Sequence, residues 1–295
     1  MGNSATAKTT EWKKIELSDR ELFENTGENA DGIAMFGFAS IFFWKGYYET
    51  SYAVVNGNIV AKGISDSGEC VLYFPRGITE GLRDTLDILK ENCRGKLVLM
   101  PLNETLAYRI KKEVPSVDLK VIEGKCEYVY NQEDLANLIG KKYHSKRNHI
   151  AKFDKKYESE YINIDENNVD ILRDCAKYMY NLIENSPKEE FDAIMCAIDN
   201  FSDLRMRACV IKVDGKYVAY SIGSSVNNEV ADIHFEKADR NYEGSYAKVN
   251  NCFAKYAFSD KKFINREEDL GIEGLRKAKL SYYPCKMNQM YSIEL

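Results

Sequence analysis

The chain lacks a hydrophobic run long enough to cross a membrane. Its nearest approach, IAMFGFASIFFW at 33–44, falls short of the roughly 18 residues a spanning helix needs. On that reading the protein is soluble and cytoplasmic. It also lacks any CxxC pair. The eight cysteines (Cys70, Cys93, Cys126, Cys175, Cys196, Cys209, Cys252, Cys285) lie singly, most of them in apolar runs such as MCAI and ACVI. They read as reduced, buried thiols. Histidine is scarce, with three in all and none spaced with a cysteine pair, so no zinc motif is present and no metal is expected. The absence of GxSxG, GxxxxGK and HExxH sets aside the hydrolase elbow, the phosphate-binding P-loop and the zincin helix. Positive charge is not in excess either. Net charge is −5, so a polyanion can be met only by a local patch.

What is present is an ordinary globular composition, 44% hydrophobic and 29% charged over 295 residues, long enough for two domains. MGNSAT meets the short N-myristoylation pattern through Gly2 and Thr6. EWKKIELSD predicts a strand running to a helix cap at Ser18, with Glu21 three residues on. The aromatic run through Trp44, Tyr47 and Tyr48 is expected in the core. SYAVVNGNIVAKG predicts a hairpin about Asn56-Gly57. Strand, helix, strand, helix and strand follow as far as VDLKVI. In the second half, 132–157 carries the stripe Leu135, Leu138, Ile139, Tyr143, Ile150 and Phe153 and predicts one helix. Two more helices follow, then three strands turning at Asp214-Gly215 and Asn227-Asn228, and then helix, strand, helix and a last strand, MNQMYSIEL.

Both halves therefore run helices, antiparallel meander, helix, strand, helix, strand. That order resembles the GCN5-related N-acetyltransferase (GNAT) fold. The expectation is an α+β protein of two tandem GNAT-like domains with mixed, mainly antiparallel sheets. Residues 1–125 would support, and 126–295 would carry the active site.

Three stretches hold candidate chemistry. KKYHSKRNHIAKFDKK (141–156) has seven Lys or Arg and two histidines. Its Lys142, His144, Lys146, Arg147 and Asn148 form a patch suited to phosphate or a polyanion, with Arg147 needing a phosphate or internal carboxylate as partner. In ADIHFEKADRNYEGSY (231–246), strand alternation puts His234 and Glu236 on one face, where a desolvated glutamate would act as base. Arg240 and Gly244 then approximate the pyrophosphate turn of acetyl-CoA enzymes, but at a spacing one residue longer and with Tyr246 where a small residue belongs. In NREEDLGIEGLRKAKLSYYP (265–284), Glu267, Glu268 or Asp269 would hold an ammonium, and Arg276 or Lys279 a carboxylate, phosphate or oxyanion.

The stretches EYVYNQEDLANLIGKKYHSKRNHIAKF, IHFEKADRNYEGSYAKVNN and INREEDLGIEGLRKAKLSYYP resemble the signature blocks of the phosphatidylglycerol lysyltransferase C-terminal-domain family, in its stand-alone bacterial branch. The resemblance spans most of the chain and implies a tandem GNAT-like fold. None of the candidate residues in 265–284 is a nucleophile, so direct transfer from an activated donor is expected. The resemblance implies aminoacyl-tRNA as that donor, acyl-CoA being the other possible one, and the acceptor is a hydroxyl or amine, such as that of a lipid headgroup or small molecule. The basic block would face phosphate of donor or lipid, and the acidic block the aminoacyl ammonium. No tightly bound cofactor is implied. The alternatives are a module that binds a ligand or RNA without chemistry, an acyl-CoA-dependent N-acyltransferase, and a structural partner protein.

Overall fold

The computed structural model describes residues 10–24, 32–93 and 95–295, so the MGNSAT motif lies outside the described residues. The chain divides into two compact units. One is drawn from residues 1–30, 36–126 and 288–295, the other from 31–35 and 127–287.

In the first unit, β1 (Lys13–Lys14), β2 (Ser51–Val55), β3 (Asn58–Ile64), β4 (Cys70–Tyr73), β5 (Val98–Asn103) and β6 (Lys120–Val121) form a sheet with the C-terminal strand Met290–Glu294, which lies between β5 and β6. β4 and β5 run parallel, and the other pairs are antiparallel. The β2–β3 turn is the expected one: Asn56 and Gly57 take φ of 49° and 78°, the left-handed pair a type I′ turn requires. Among the described residues the sheet is accompanied by α1 (Arg20–Glu24), α2 (Phe38–Trp44), α3 (Leu82–Glu91) and α4 (Glu104–Glu113). α3 buries Leu82, Leu86 and Leu89, one stripe at helical spacing, in a core with Leu99, Leu102, Ile110 and Ile293.

Two local readings need correction in this unit. Ser18 is not the cap: a short 3-10 turn, Leu17–Asp19, precedes α1, and the Asp19 carboxylate accepts the Glu16 N–H at 2.8 Å. The aromatic core residues are Phe38, Phe42 and Phe43 of α2, while Tyr47 is half exposed.

The second unit contains β7 (Glu127–Asn131), α5 (Gln132–Asn137), α6 (His144–Lys156), β8 (Ser159–Ile164), α7 (Val169–Leu182), α8 (Lys188–Asp199), β9 (Arg207–Val213), β10 (Lys216–Ser225), β11 (Val230–Ala238), α9 (Ser245–Tyr256), β12 (Phe263–Glu268), α10 (Glu273–Leu280) and β13 (Lys286–Asn288); the C-terminal strand is then β14. The sheet order is β13-β7-β12-β11-β10-β9-β8, with β11 and β12 parallel. Its core gathers Tyr143 and Phe153, Ile211 and Ile233, Val249, Phe253 and Phe258.

The expected single helix over 132–157 is broken in two. Leu138 takes φ 51° and Gly140 φ 96°, ending α5, and a 3-10 turn at Lys141–Tyr143 leads into α6. The Arg147 guanidinium donates to the carbonyls of Leu138 and Gly140 at this break. Arg147 thus satisfies backbone acceptors at a helix end, and neither a phosphate nor a carboxylate is required to explain it.

Candidate functional site

β11 and β12 pair only at Val230–Phe263, Ala231–Ile264 and Asp232–Asn265. Past that point each strand carries an extra residue. Against β10, Ile222 faces Phe235 and Gly223 faces Ile233, which leaves His234 over. Against β7, Asn265 faces Val129 and Glu268 faces Glu127, and within that interval Glu267 sits at φ 58°. Such bulges re-aim the side chains that follow them. Ala231 and Ile233 belong to the core cluster with Val249 and Phe253 of α9; beyond the bulge Ala238 takes that side, and Glu236 reaches Asn250 of α9. Asp232 and His234 point the other way. The simple alternation that puts His234 with Glu236 is therefore corrected by one inserted residue, and two separate polar clusters result.

On the α9 side, Glu236 Oε1 pairs with Arg266 Nη2 at 3.0 Å, and its Oε2 accepts from Asn250 Nδ2 at 3.0 Å. Ser221 lies opposite Glu236 in the β10–β11 register. Lys146 Nζ and the Arg266 guanidinium both lie against the Tyr282 ring, 3.8 Å and 4.8 Å from its centre. Lys146 also donates to Ser281 Oγ at 2.6 Å. Burial, reinforced by the Arg266 charge, lowers Lys146 to about 8. Three buried polar atoms in this cluster have no hydrogen-bond partner among the described residues: Ser221 Oγ, Asn250 Oδ1 and Arg266 Nη1. Buried polar atoms are rarely left so, and here a donor and an acceptor both stand ready for a polar group brought from outside.

On the opposite side, His234 Nδ1 lies 2.9 Å from Asp232 Oδ2 and 3.2 Å from Glu267 Oε1, and Nε2 lies 2.8 Å from Ser224 Oγ. Burial alone would lower the imidazole, but the two carboxylates overcome it and hold His234 near 10. Burial and the neighbouring Asp232 charge push Glu267 up.

The remaining sequence candidates are distributed as follows. Asp269, almost fully buried, accepts from Arg276 Nε at 2.8 Å, Tyr128 Oη at 2.6 Å and the Gly271 N–H at 2.8 Å. Asp269 and Arg276 therefore engage each other. Lys279 donates to the Arg266 carbonyl, and Glu268 stands opposite Glu127 in the sheet. Of the proposed phosphate binders, Lys142 lies 3.5 Å from Asp134, and His144 pairs with Asn148 at 3.1 Å on the exposed side of α6. Arg240 is exposed, and only Lys146 reaches the Glu236 cluster. A surface concavity of about 490 Å³, lined by Asn163, Asp165, Arg205, Arg207 and Tyr256 among others, includes no residue of the Glu236 or His234 cluster.

Sequence reasoning missed Arg266, Asn250 and Ser221. Arg266 lies within NREEDLGIEGLRKAKLSYYP, but only the bulge decides which face it takes. Asn250 had a signal: it is a polar residue on the buried face of α9, between Val249 and Phe253.

The turn into α9 is built for packing. Its N–H groups at Asn241, Tyr242 and Ser245 bond to Asp239 Oδ1, Asp239 O and Tyr242 O. A Cβ on Gly244 would lie 2.4 Å from the His149 carbonyl oxygen, so this glycine lets α6 and α9 approach.

The family described as phosphatidylglycerol lysyltransferase, C-terminal, matches residues 33–294. Among solved structures, a conserved protein of unknown function from Bacteroides thetaiotaomicron is 30% identical with a TM-score of 0.84, covering 97% of this chain and 100% of its own. L-PGS from Bacillus licheniformis shares the fold at 12% identity, TM-score 0.62, with 95% and 92% covered. A tandem GNAT protein from the clavulanic acid biosynthesis pathway does so at 9% identity, TM-score 0.50, with 97% and 98% covered. The fold is thus the tandem GNAT arrangement, α+β with two mixed sheets. No helix among the described residues is long and apolar enough to cross a membrane.

Proposed function

The chain belongs to the phosphatidylglycerol lysyltransferase C-terminal family, and from that footing we propose that it transfers an aminoacyl group directly from aminoacyl-tRNA to a hydroxyl or amine acceptor, in the wedge between β11 and β12. The observation that carries this reading is the trio of unsatisfied polar atoms about Glu236, with Lys146 beside them. Arg266 Nη1 would donate to the ester carbonyl and to the oxyanion that develops on it. Asn250 Oδ1, backed by the Glu236 carboxylate, would accept from the aminoacyl ammonium. Lys146, close enough to neutrality to be partly unprotonated, would take the proton from the acceptor as its oxygen or nitrogen bonds to the carbonyl carbon. The ester C–O bond then breaks, and the same proton passes to the departing ribose oxygen.

Glu236 serves as an anchor in this scheme, because its two oxygens are engaged by Arg266 and Asn250. An acyl-CoA donor is disfavoured by the α9 turn, in which the N–H groups of Asn241, Tyr242 and Ser245 are bonded internally.

The test is transfer from lysyl- and alanyl-tRNA to added acceptors by the whole protein. Lys146→Arg keeps the charge and removes the proton relay, and Arg266→Gln removes the donor. Each should cut the rate by about 100-fold or more. The wild-type rate should rise with pH through about 8, as Lys146 loses its proton, and the Lys146→Arg profile should lose that limb. Unchanged rates in both variants would refute the assignment.

A further inference from the structure

The Asp232–His234–Glu267 cluster plays no part in the transfer scheme, yet it is the more tightly built of the two. We propose that Asp232, His234 and Glu267 bind one divalent transition-metal ion through a carboxylate oxygen of each acid and Nδ1 of the imidazole. The three donor atoms lie within 4.8 Å of one another. One imidazole nitrogen and two carboxylate oxygens form a set that zinc, manganese or ferrous iron accepts.

The surroundings support a ligand role. Ser224 Oγ holds Nε2 at 2.8 Å, which fixes the ring and directs the Nδ1 lone pair to the carboxylates, as an outer partner does for a metal-bound histidine. Asp232 is fully buried, and Oδ1 has no hydrogen-bond partner among the described residues, while Oδ2 has only the imidazole nearby. A buried carboxylate oxygen left bare calls for a cation. Both partner ligands stand on bulges, and Glu267 is kept in the left-handed region, a strained place for a residue with a side chain. Its side chain remains a quarter exposed, which provides the route for an ion.

A protonated imidazole would also bridge the two acids, so the experiment must separate metal from proton. The whole protein is stripped with EDTA, and Zn²⁺ and Mn²⁺ are titrated by calorimetry, with the melting temperature followed in parallel. One ion per chain should bind, and the melting temperature should rise by a few degrees in roughly 100-fold excess over Kd. Glu267→Gln, at the partly exposed ligand, should stay folded and lose the heat of binding; Asp232→Asn should do the same. Ser224→Ala should weaken binding about 10-fold. If the wild type takes up no ion, or binds no better than folded Glu267→Gln, the cluster is an ion-paired imidazolium and the proposal falls.

Discussion

Asp269 was read from the sequence as a hand for a substrate ammonium, and in the fold its three donors are internal. Burial alone would raise its pKa; the hydrogen bonds from Arg276, Tyr128 and the Gly271 N–H reverse that and hold it at about 2, below its ordinary 3.8. A carboxyl depressed by folding stabilises the native state above its unfolded pKa. That contribution, on the order of 2 kcal/mol, is lost as pH falls from about 4 through about 2. Chemical denaturation of the wild type between pH 2 and pH 5 should show this loss. Asp269→Asn should be less stable at pH 5 and should flatten the slope; a parallel slope in the variant would count against the assignment. Arg147 teaches the same lesson. The sequence says that it needs a partner, but only the chain path says that the partner is a pair of carbonyls.

At the scale of elements, the sequence was most legible where one local rule suffices. The Asn56-Gly57 hairpin followed from turn chemistry alone. It was least legible where one residue changes the register. Nothing in ADIHFEKAD marks His234 as the extra residue, because the bulge is decided by what β10 presents opposite, and period-two reasoning then assigns every later side chain to the wrong face. The break between α5 and α6 was within reach: Gly140 is the signal, and the stripe through Ile139, now 74% exposed, hid it. The contact of α6 with α9 rests on Gly244, at φ 93°. Gly244→Ala adds left-handed strain and a clash with the His149 carbonyl. The cost should be about 2 kcal/mol or more, roughly a 4 °C fall in the melting temperature. A melting temperature within a degree of wild type would show that α6 yields easily.

For the whole molecule, the units do not follow a single cut in the chain. Glu127, fully buried, accepts N–H groups from Ala34 and Met35 and the Asn265 amide, so residues far to its N-terminal side complete it. β14 meanwhile pairs with β5 and β6. The boundary near 126 that the repeated order of elements suggests would deprive Glu127 of two donors and strand residues 288–295 from their sheet. A fragment of residues 126–295 should therefore aggregate or melt well below a version in which residues 31–35 are supplied and β14 is removed. If the plain fragment is as stable as that version, the short N-terminal segment is dispensable.

The position of β14 also sets a timetable. During synthesis β5 and β6 emerge long before the strand that belongs between them, because all of residues 127–287 is made in the interval. The first sheet cannot close until that strand arrives, so β5 and β6 hold open edges while the second unit is being made.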